Sequence, residues 1–126
     1  WLHFAEGSLM PYLVMSLVFT KVKTAPMPFF VRPVAKGIAD QVMKSFISPN
    51  VESSLRFIED HLSKNVWFSG DDMSAADFQM IFPLEAAMTR SDIASKLPAI
   101  NAWAKKVHAL PAYQNALKKG GPYDYA

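Results

Sequence analysis

The chain has 126 residues, 51% of them hydrophobic and 19% charged, proportions that are typical of one globular domain and exclude a disordered or fibrous segment. It contains no cysteine, which excludes disulfides, thiolate metal sites and a cysteine nucleophile within these residues. The net charge is only +2 and the basic residues are scattered, so nucleic acid is not an expected partner.

The beginning of the chain predicts a helix over residues 2–22, because apolar side chains recur there at helical spacing. The longest apolar stretch, residues 9–19, contains Pro11 and is much shorter than the ~20 residues that span a bilayer, so no membrane partner is expected. The stretch lacks a preceding basic segment and is not a secretory signal. Because the chain opens on Trp1 rather than methionine, we expect it to be a piece of a longer protein.

The proline-rich residues 24–33 predict a rigid extended loop, since proline lacks a backbone donor and disfavours helix at the preceding residue. The adjacent Phe29 and Phe30 in this loop require cover. A second helix is predicted over residues 34–46, and Ser48-Pro49 predicts that a new helix starts there. This third helix carries an apolar stripe that would face the core: Val51, Leu55, Ile58 and Leu62.

After a loop over residues 65–72, the strongest local signal is a helix start. Ser74 is predicted to accept from the Asp77 N–H, while the Asp77 carboxylate accepts from the Ser74 N–H, which is a capping box. Met73 and Phe78 are predicted to form the accompanying hydrophobic staple. The helix body is apolar almost all round, which predicts a central helix bent at Pro83.

The rest of the chain predicts a turn near Ser91–Ser95, a helix opening at Pro98 and a last helix from Pro111 to about Gly120. The final residues, 122–126, are either a tail or the cover of a cleft. Sustained polar and apolar alternation and hairpin turn signals are both missing from the sequence. The predicted fold class is therefore all-α, a helical bundle of one domain covering residues 1–126.

The polar residues alone do not predict catalysis. The three histidines His3, His61 and His108 have no metal-ligand spacing, so no metal site is expected, and His61 and His108 are expected to be solvated. Asp71-Asp72 suits the positive end of the following helix better than acid–base chemistry. The sequence also lacks a nucleophile elbow, a phosphate-binding glycine loop and a dinucleotide fingerprint.

Three segments, in order, resemble the C-terminal helical domain of cytosolic glutathione S-transferases of the bacterial and fungal type. The capping segment W-F-S-G-D-D-M-S-A-A-D-F at residues 67–78 is similar to the family signature F-x-G-D-x-x-S-x-A-D. The segment L-P-A-I-N-A-W at 97–103, followed by L-P-A-Y at 110–113, resembles the family's closing pattern, with Leu110 in place of a common arginine. The opening W-L-H-F-A-E-G-S-L resembles the first helix of that domain.

This resemblance implies a preceding thioredoxin-like domain, not contained in this chain, that binds glutathione as the co-substrate and supplies the catalytic residue. The helical domain would provide the hydrophobic electrophile site and part of a homodimer interface in a cytoplasmic enzyme of detoxification, and this chain alone would be inactive. The alternative is a helical protein-interaction module of the same domain type, without catalysis.

On the first helix, the resemblance implies glutathione contacts for His3 and Ser8 and an electrophile site lined by Met10, Leu13 and Leu17. The alternatives are that His3 is solvated or caps the helix, and that the apolar stripe is ordinary core. The resemblance implies no metal and no cofactor other than glutathione itself. It does not identify the electrophile.

Overall fold

A computed structural model describes residues 1–90, 93 and 96–125 of the chain. Within those residues the chain folds into helices, and the pairing of Trp67 with Gly70 is an isolated bridge rather than a strand. The helices are α1 (Leu2–Thr24), α2 (residues 32–62), α3 (Ala75–Arg90), α4 (Pro98–His108) and α5 (Pro111–Gly120). The predicted all-α fold class is confirmed. Apart from Ile93, the turn predicted near Ser91–Ser95 lies outside the described residues.

Helix α1 buries one stripe and exposes another. Ala5, Leu9 and Leu13 are buried in the core that the helices share. Only 17% of the residues in its most apolar 18-residue stretch are buried, and this stretch has a mean hydropathy of 1.3; with 23 residues in all, α1 is by length and composition a helix that could cross a membrane. The same length and composition fit a core helix of a globular domain whose outer stripe is covered by another protein surface.

Both long helices contain one π-helical segment that ends two residues before a proline. In α1 the π-helical segment is Ala5–Leu9, between the α-helical parts Leu2–Phe4 and Met10–Thr24, and the proline is Pro11. In α2 the π-helical segment is Met43–Ile47, between the α-helical parts Arg32–Val42 and Ser48–Leu62, and the proline is Pro49. The Ser48 N–H bonds to the Met43 carbonyl. The wider turn moves the carbonyls that a proline ring would otherwise meet. The helix break predicted at Ser48-Pro49 is therefore wrong.

The core lies between α1, the second half of α2, α3 and α4. The predicted stripe of α2 is buried, as are the core residues of α3 and α4: Val51, Leu55, Ile58 and Leu62, then Met80, Leu84, Ile100, Trp103 and Val107. Helix α3 is central, although its Phe78 and Phe82 are exposed, so it is not enclosed on all sides. Pro83 lies inside α3 without ending it.

The connection between α1 and α2 is shorter than predicted, because Pro33 occupies the first turn of α2 and the loop closes at Val31. The expectation that Phe29 and Phe30 find cover is not met within the described residues. Both rings are exposed, and they contact each other edge to face with centroids 5.7 Å apart.

Asp77 forms hydrogen bonds to three separate parts of the fold. Its carboxylate is fully buried and accepts at Oδ1 from the Phe68 N–H and the Trp103 Nε1–H, both at 3.1 Å. At Oδ2 it accepts from the Ser74 N–H at 2.9 Å and from the Ser74 hydroxyl at 3.2 Å. One carboxylate thus joins the start of α3, the preceding loop and the middle of α4.

The helix start differs in one bond from the capping box that the sequence predicts. The Asp77 carboxylate accepts from the Ser74 N–H, but the Ser74 Oγ accepts from the Ala76 N–H at 3.2 Å. The Asp77 N–H bonds to the Ser74 carbonyl at 3.1 Å instead. The hydroxyl reaches only the nearer amide because it also donates to the buried carboxylate and accepts from the Ser69 hydroxyl.

A second carboxylate, from α2, accepts hydrogen bonds from the free backbone N–H groups at the start of α4. Leu97 at the N-cap has no side chain that can accept a hydrogen bond, and Glu59 of α2 accepts from the Ala99 N–H at 2.8 Å and from the Ile100 N–H at 2.9 Å. A negative group at this position also complements the positive end of the helix dipole. Glu59 therefore fixes where α4 begins relative to α2.

Replacing Asp77 should destabilise the domain far more than removing an ordinary helix cap. Asp77→Ala leaves two buried donors, the Phe68 N–H and the Trp103 indole N–H, without an acceptor. We expect the free energy of unfolding to fall by about 3 kcal/mol or more. Asp60→Ala, which removes an exposed i,i+4 pair with Lys64, is the control and should cost less than about 1 kcal/mol. Equal urea midpoints for the two variants would contradict the role given to Asp77.

Candidate functional site

An open cavity of about 460 Å³ lies between α1, α2 and the end of α3. Its floor is apolar because Leu13 of α1, Ile47 and Val51 of α2 and Ala87 of α3 turn inward there. The π-helical segment of α2 contributes Met43 to the wall. This volume lies in the range of pockets that bind small molecules.

A smaller cavity of about 280 Å³ adjoins the first along α1 and is lined by Ser16, Leu17, Thr20 and Met43. Ser16 and Met43 line both cavities. Together the two form a groove beside α1 that is lined by aliphatic side chains and also by polar ones such as Ser16, Thr20 and Ser48. Such a groove suits a molecule that has both an apolar body and a polar group.

The groove brings together two of the three residues that were expected to line an electrophile site. Leu13 lines the larger cavity and is 4% exposed, while Leu17 lines the smaller one and is 37% exposed. Met10 lines neither and is half-buried against the core. Leu13 therefore serves as core and cavity wall at once, so the two interpretations of this stripe are compatible.

The two residues expected to contact glutathione do not meet in a cavity. His3 is exposed in the first turn of α1, and Ser8 is half-buried in the π-helical segment. Within the described part of the chain neither side chain makes a hydrogen bond. Ser8 offers a hydroxyl and His3 an imidazole, both of which suit the amides and carboxylates of a peptide.

Charged side chains also line the larger cavity. The Arg56 guanidinium bonds to the Glu52 carboxylate one turn earlier at 2.6 Å, and Lys96 is a further lining residue. No cluster of three metal-ligating side chains is found in residues 1–90, 93 and 96–125. The groove thus supplies binding surface, and its described lining contains neither a histidine nor a cysteine.

A buried carboxylate of α3, Glu85, is the centre of a hydrogen-bonded cluster that the sequence did not predict. Glu85 is 2% exposed, and its Oε1 is 2.7 Å from His108 Nε2 and accepts from the Tyr113 hydroxyl at 2.6 Å. Its Oε2 accepts from the Tyr123 hydroxyl. Residues from α4, α5 and the C-terminal segment therefore meet on one side chain of α3. A lone glutamate inside an apolar helix was the sequence signal for this cluster.

The cluster raises the pKa of both tyrosines above the ordinary value of 10.0. Burial is the larger cause for Tyr113 and for Tyr123, because it disfavours the charged phenolate, and the hydrogen bond to Glu85 adds to it. Tyr125 extends the same segment along α3 by packing edge to face on Phe82 at 5.8 Å. The C-terminal residues thus cover α3 rather than forming a free tail.

Two histidines that were expected to be solvated are instead engaged. His108 bonds to Glu85 and stacks on Tyr113, with ring centroids 4.7 Å apart. His61 lies 3.1 Å from the Phe68 carbonyl and packs on Trp1 at 4.5 Å. Both expectations were wrong because helical spacing shows which face a residue occupies but not which distant segment covers that face.

The family model "Glutathione S-transferase, C-terminal domain" matches residues 14–111. The chain is 34% identical over 121 residues to Glutathione S-transferase 1 of Saccharomyces cerevisiae and 33% identical over 121 residues to Glutathione S-transferase 3 of Schizosaccharomyces pombe. These alignments cover 94% of this chain but only 52% and 49% of the relatives, so the chain spans about half of their length. No solved structure gives a significant match.

Alkaline pH should destabilise the domain through the two tyrosines. Their folded-state pKa values are raised, so above pH 10.0 the unfolded chain loses phenolic protons that the folded chain retains, and stability falls as the pH rises. Glu85→Gln removes the carboxylate charge and should shift part of the tyrosinate absorbance to lower pH. Superimposable ultraviolet titration curves for wild type and Glu85→Gln would contradict this assignment.

Proposed function

Because the chain belongs to the glutathione S-transferase C-terminal domain family, we propose that it is the helical half of a longer enzyme that transfers glutathione to small electrophiles or reduces them with it. The observation that carries this proposal is the match over residues 14–111, together with similarity to two proteins named glutathione S-transferases along 94% of the chain. The remaining half of the relatives' length leaves room for a domain that this chain does not contain.

The residue types in this chain support a role in binding for the helical half and a role in catalysis for the other half of the enzyme. This chain has no cysteine and therefore no thiol of its own. The sulfur would therefore come from glutathione, and the group that stabilises its thiolate would lie in a preceding thioredoxin-like domain. A thiolate attacks an electrophile far faster than a thiol does, so catalysis depends on that stabilisation. The helical half contributes binding and orientation.

The electrophile site is proposed to be the groove beside α1. Leu13 and Leu17 line its two cavities, and Met10 lies one turn before Leu13 on the same helix. An apolar wall excludes water from the carbon that the thiolate attacks and favours electrophiles with an apolar body. The glutathione contacts are proposed for His3 and Ser8, whose side chains are free to bond to a peptide.

A homodimer is proposed on the exposed stripe of α1. Val14, Val18 and Val22 follow one another at intervals of four residues and are all exposed, so they form a continuous apolar face. An apolar helix face of this kind is typical of an interface between subunits. A cytoplasmic location is proposed with it, since intracellular thiols maintain glutathione in the reduced form that the reaction consumes.

The activity is tested with the full-length protein, using reduced glutathione and 1-chloro-2,4-dinitrobenzene as the electrophile. We expect the wild-type protein to turn over this electrophile. The variant Leu17→Asp should raise KM for the electrophile about fivefold or more, because it places a charge in the groove, while KM for glutathione should stay within about twofold of wild type. Val66→Asp is the matched control, since Val66 is an exposed aliphatic residue remote from the groove.

Two results would contradict parts of this proposal. Equal rises in the electrophile KM for Leu17→Asp and Val66→Asp would remove the groove from the electrophile site. No turnover with any of several electrophile classes, together with no retention on immobilised glutathione, would contradict the enzymatic proposal and favour the non-catalytic interaction module.

The dimer is tested separately by light scattering coupled to gel filtration. Val14→Asp combined with Val18→Asp places two like charges opposite their copies in a two-fold interface, and we expect the full-length protein to become monomeric. Lys118→Asp combined with Lys119→Asp changes charge on α5, away from this stripe, and should leave the dimer intact. A dimer that persists in the valine variant would exclude this stripe as the interface.

A further inference from the structure

The connection between α1 and α2 ends in an exposed aromatic turn. The Val31 N–H bonds to the Pro28 carbonyl at 3.0 Å, which closes a four-residue turn with Phe29 and Phe30 at its two corners. Corner positions of turns are usually occupied by glycine, proline or small polar residues. Here the corner side chains are 86% and 67% exposed. We call Phe29, Phe30, Val31 and Val34 the aromatic tip; Val34, in the first turn of α2, is exposed as well.

The aromatic tip is held in a rigid shape. Pro26 and Pro28 restrict the backbone before the corner, and Pro33 lies in the first turn of the helix after it. The two rings contact each other edge to face. The backbone that carries the exposed rings is thus restricted, which lowers the backbone conformational entropy lost on binding.

Positive charge surrounds the aromatic tip. Residues 20–44 carry five of the 13 basic side chains and one of the 11 acidic ones, a net charge of +4, so the remainder of the chain has a net charge of −2. The acidic residue, Asp40, forms an ion pair with Lys23. Lys21 lies in the last turn of α1, and Arg32 and Lys36 lie in the first two turns of α2; all three are exposed, and none of them forms an ion pair within the described residues.

We propose that the aromatic tip docks the protein on an anionic lipid surface. Phe29 and Phe30 would enter the interface between headgroups and acyl chains, while Lys21, Arg32 and Lys36 would contact the negative headgroups. Exposed aromatic rings beside basic residues are the combination that binds peripheral proteins to such surfaces. This docking differs from a membrane span, because only the aromatic tip would enter the lipid interface, and it goes beyond the proposed enzymatic function.

A second copy of the chain fits the aromatic tip less well. A two-fold contact places the same surface on both sides, so Lys21, Arg32 and Lys36 of the two copies would approach one another. Like charges in a desolvated contact are unfavourable, whereas phosphate and carboxylate headgroups neutralise them. The narrow turn also presents two rings at an apex, which suits insertion more than a flat interface between subunits.

The test is co-sedimentation of the full-length protein with vesicles of phosphatidylcholine alone and of phosphatidylcholine mixed with phosphatidylserine. We expect binding to the mixed vesicles that weakens as salt is added, and little binding to the neutral ones. The variant Phe29→Ser/Phe30→Ser should bind about tenfold or more weakly, and Lys21→Glu/Lys36→Glu should lose binding to a similar degree.

Matched controls separate the aromatic tip from general effects. Phe78→Ser removes a phenylalanine that is 62% exposed on α3, and Lys118→Glu/Lys119→Glu makes the same charge change on α5; both should bind vesicles as wild type does. All variants should keep the glutathione transfer rate of wild type, a readout that fails separately if the proposed enzymatic function is wrong.

Three results would overturn the proposal. They are absence of wild-type binding to the mixed vesicles, unchanged binding by the tip variants, and an equal loss of binding in the control variants. Conversion of a dimer to a monomer by Phe29→Ser/Phe30→Ser, without vesicle binding by wild type, would assign the aromatic tip to a subunit contact instead.

Discussion

The fold depends on the buried carboxylate of Asp77, which forms no ion pair with any residue that the structure describes. The Asp77 carboxylate is stabilised by four donors, two of them backbone amides, so its charge is spread over hydrogen bonds at the positive end of α3. A buried charge of this kind is tolerated only if every donor is present at once. The loop before α3, the start of α3 and Trp103 of α4 must therefore assemble together, which makes the junction a cooperative unit of the domain.

Local patterns predicted the parts of the fold that local forces decide. The stripe from Val51 to Leu62 and the start of α3 at Ser74 follow from helical spacing and from hydrogen bonds within four residues. The continuity of α2 through Pro49 was not predictable in the same way, because the π-helical segment that accommodates the ring has no sequence signature. Without knowledge of that segment, a proline in the sequence predicts a helix boundary.

Long-range hydrogen bonds account for most of what the sequence did not predict. Glu59 caps α4 from a position 40 residues away, and Glu85 gathers groups from 23 to 38 residues further along the chain. The same holds for the candidate site: the stripe on α1 predicted Leu13 and Leu17, but the opposite wall comes from Met43 and Ile47. These partners are fixed by how the helices cross, and one sequence without an alignment contains no direct record of that.

The π-helical segment of α2 also determines whether this helix can tolerate the insertion or deletion of a residue. A π-helical turn contains one residue more than the α-helical turn it replaces, so the helix after it is rotated by about 100° relative to an uninterrupted α-helix. The stripe beginning at Val51 faces the core with that extra residue in place. Removing any single residue between Met43 and Ile47 would leave the composition almost unchanged and yet turn the stripe toward solvent. The number of residues in this stretch is thus under the same constraint as the identity of a core side chain.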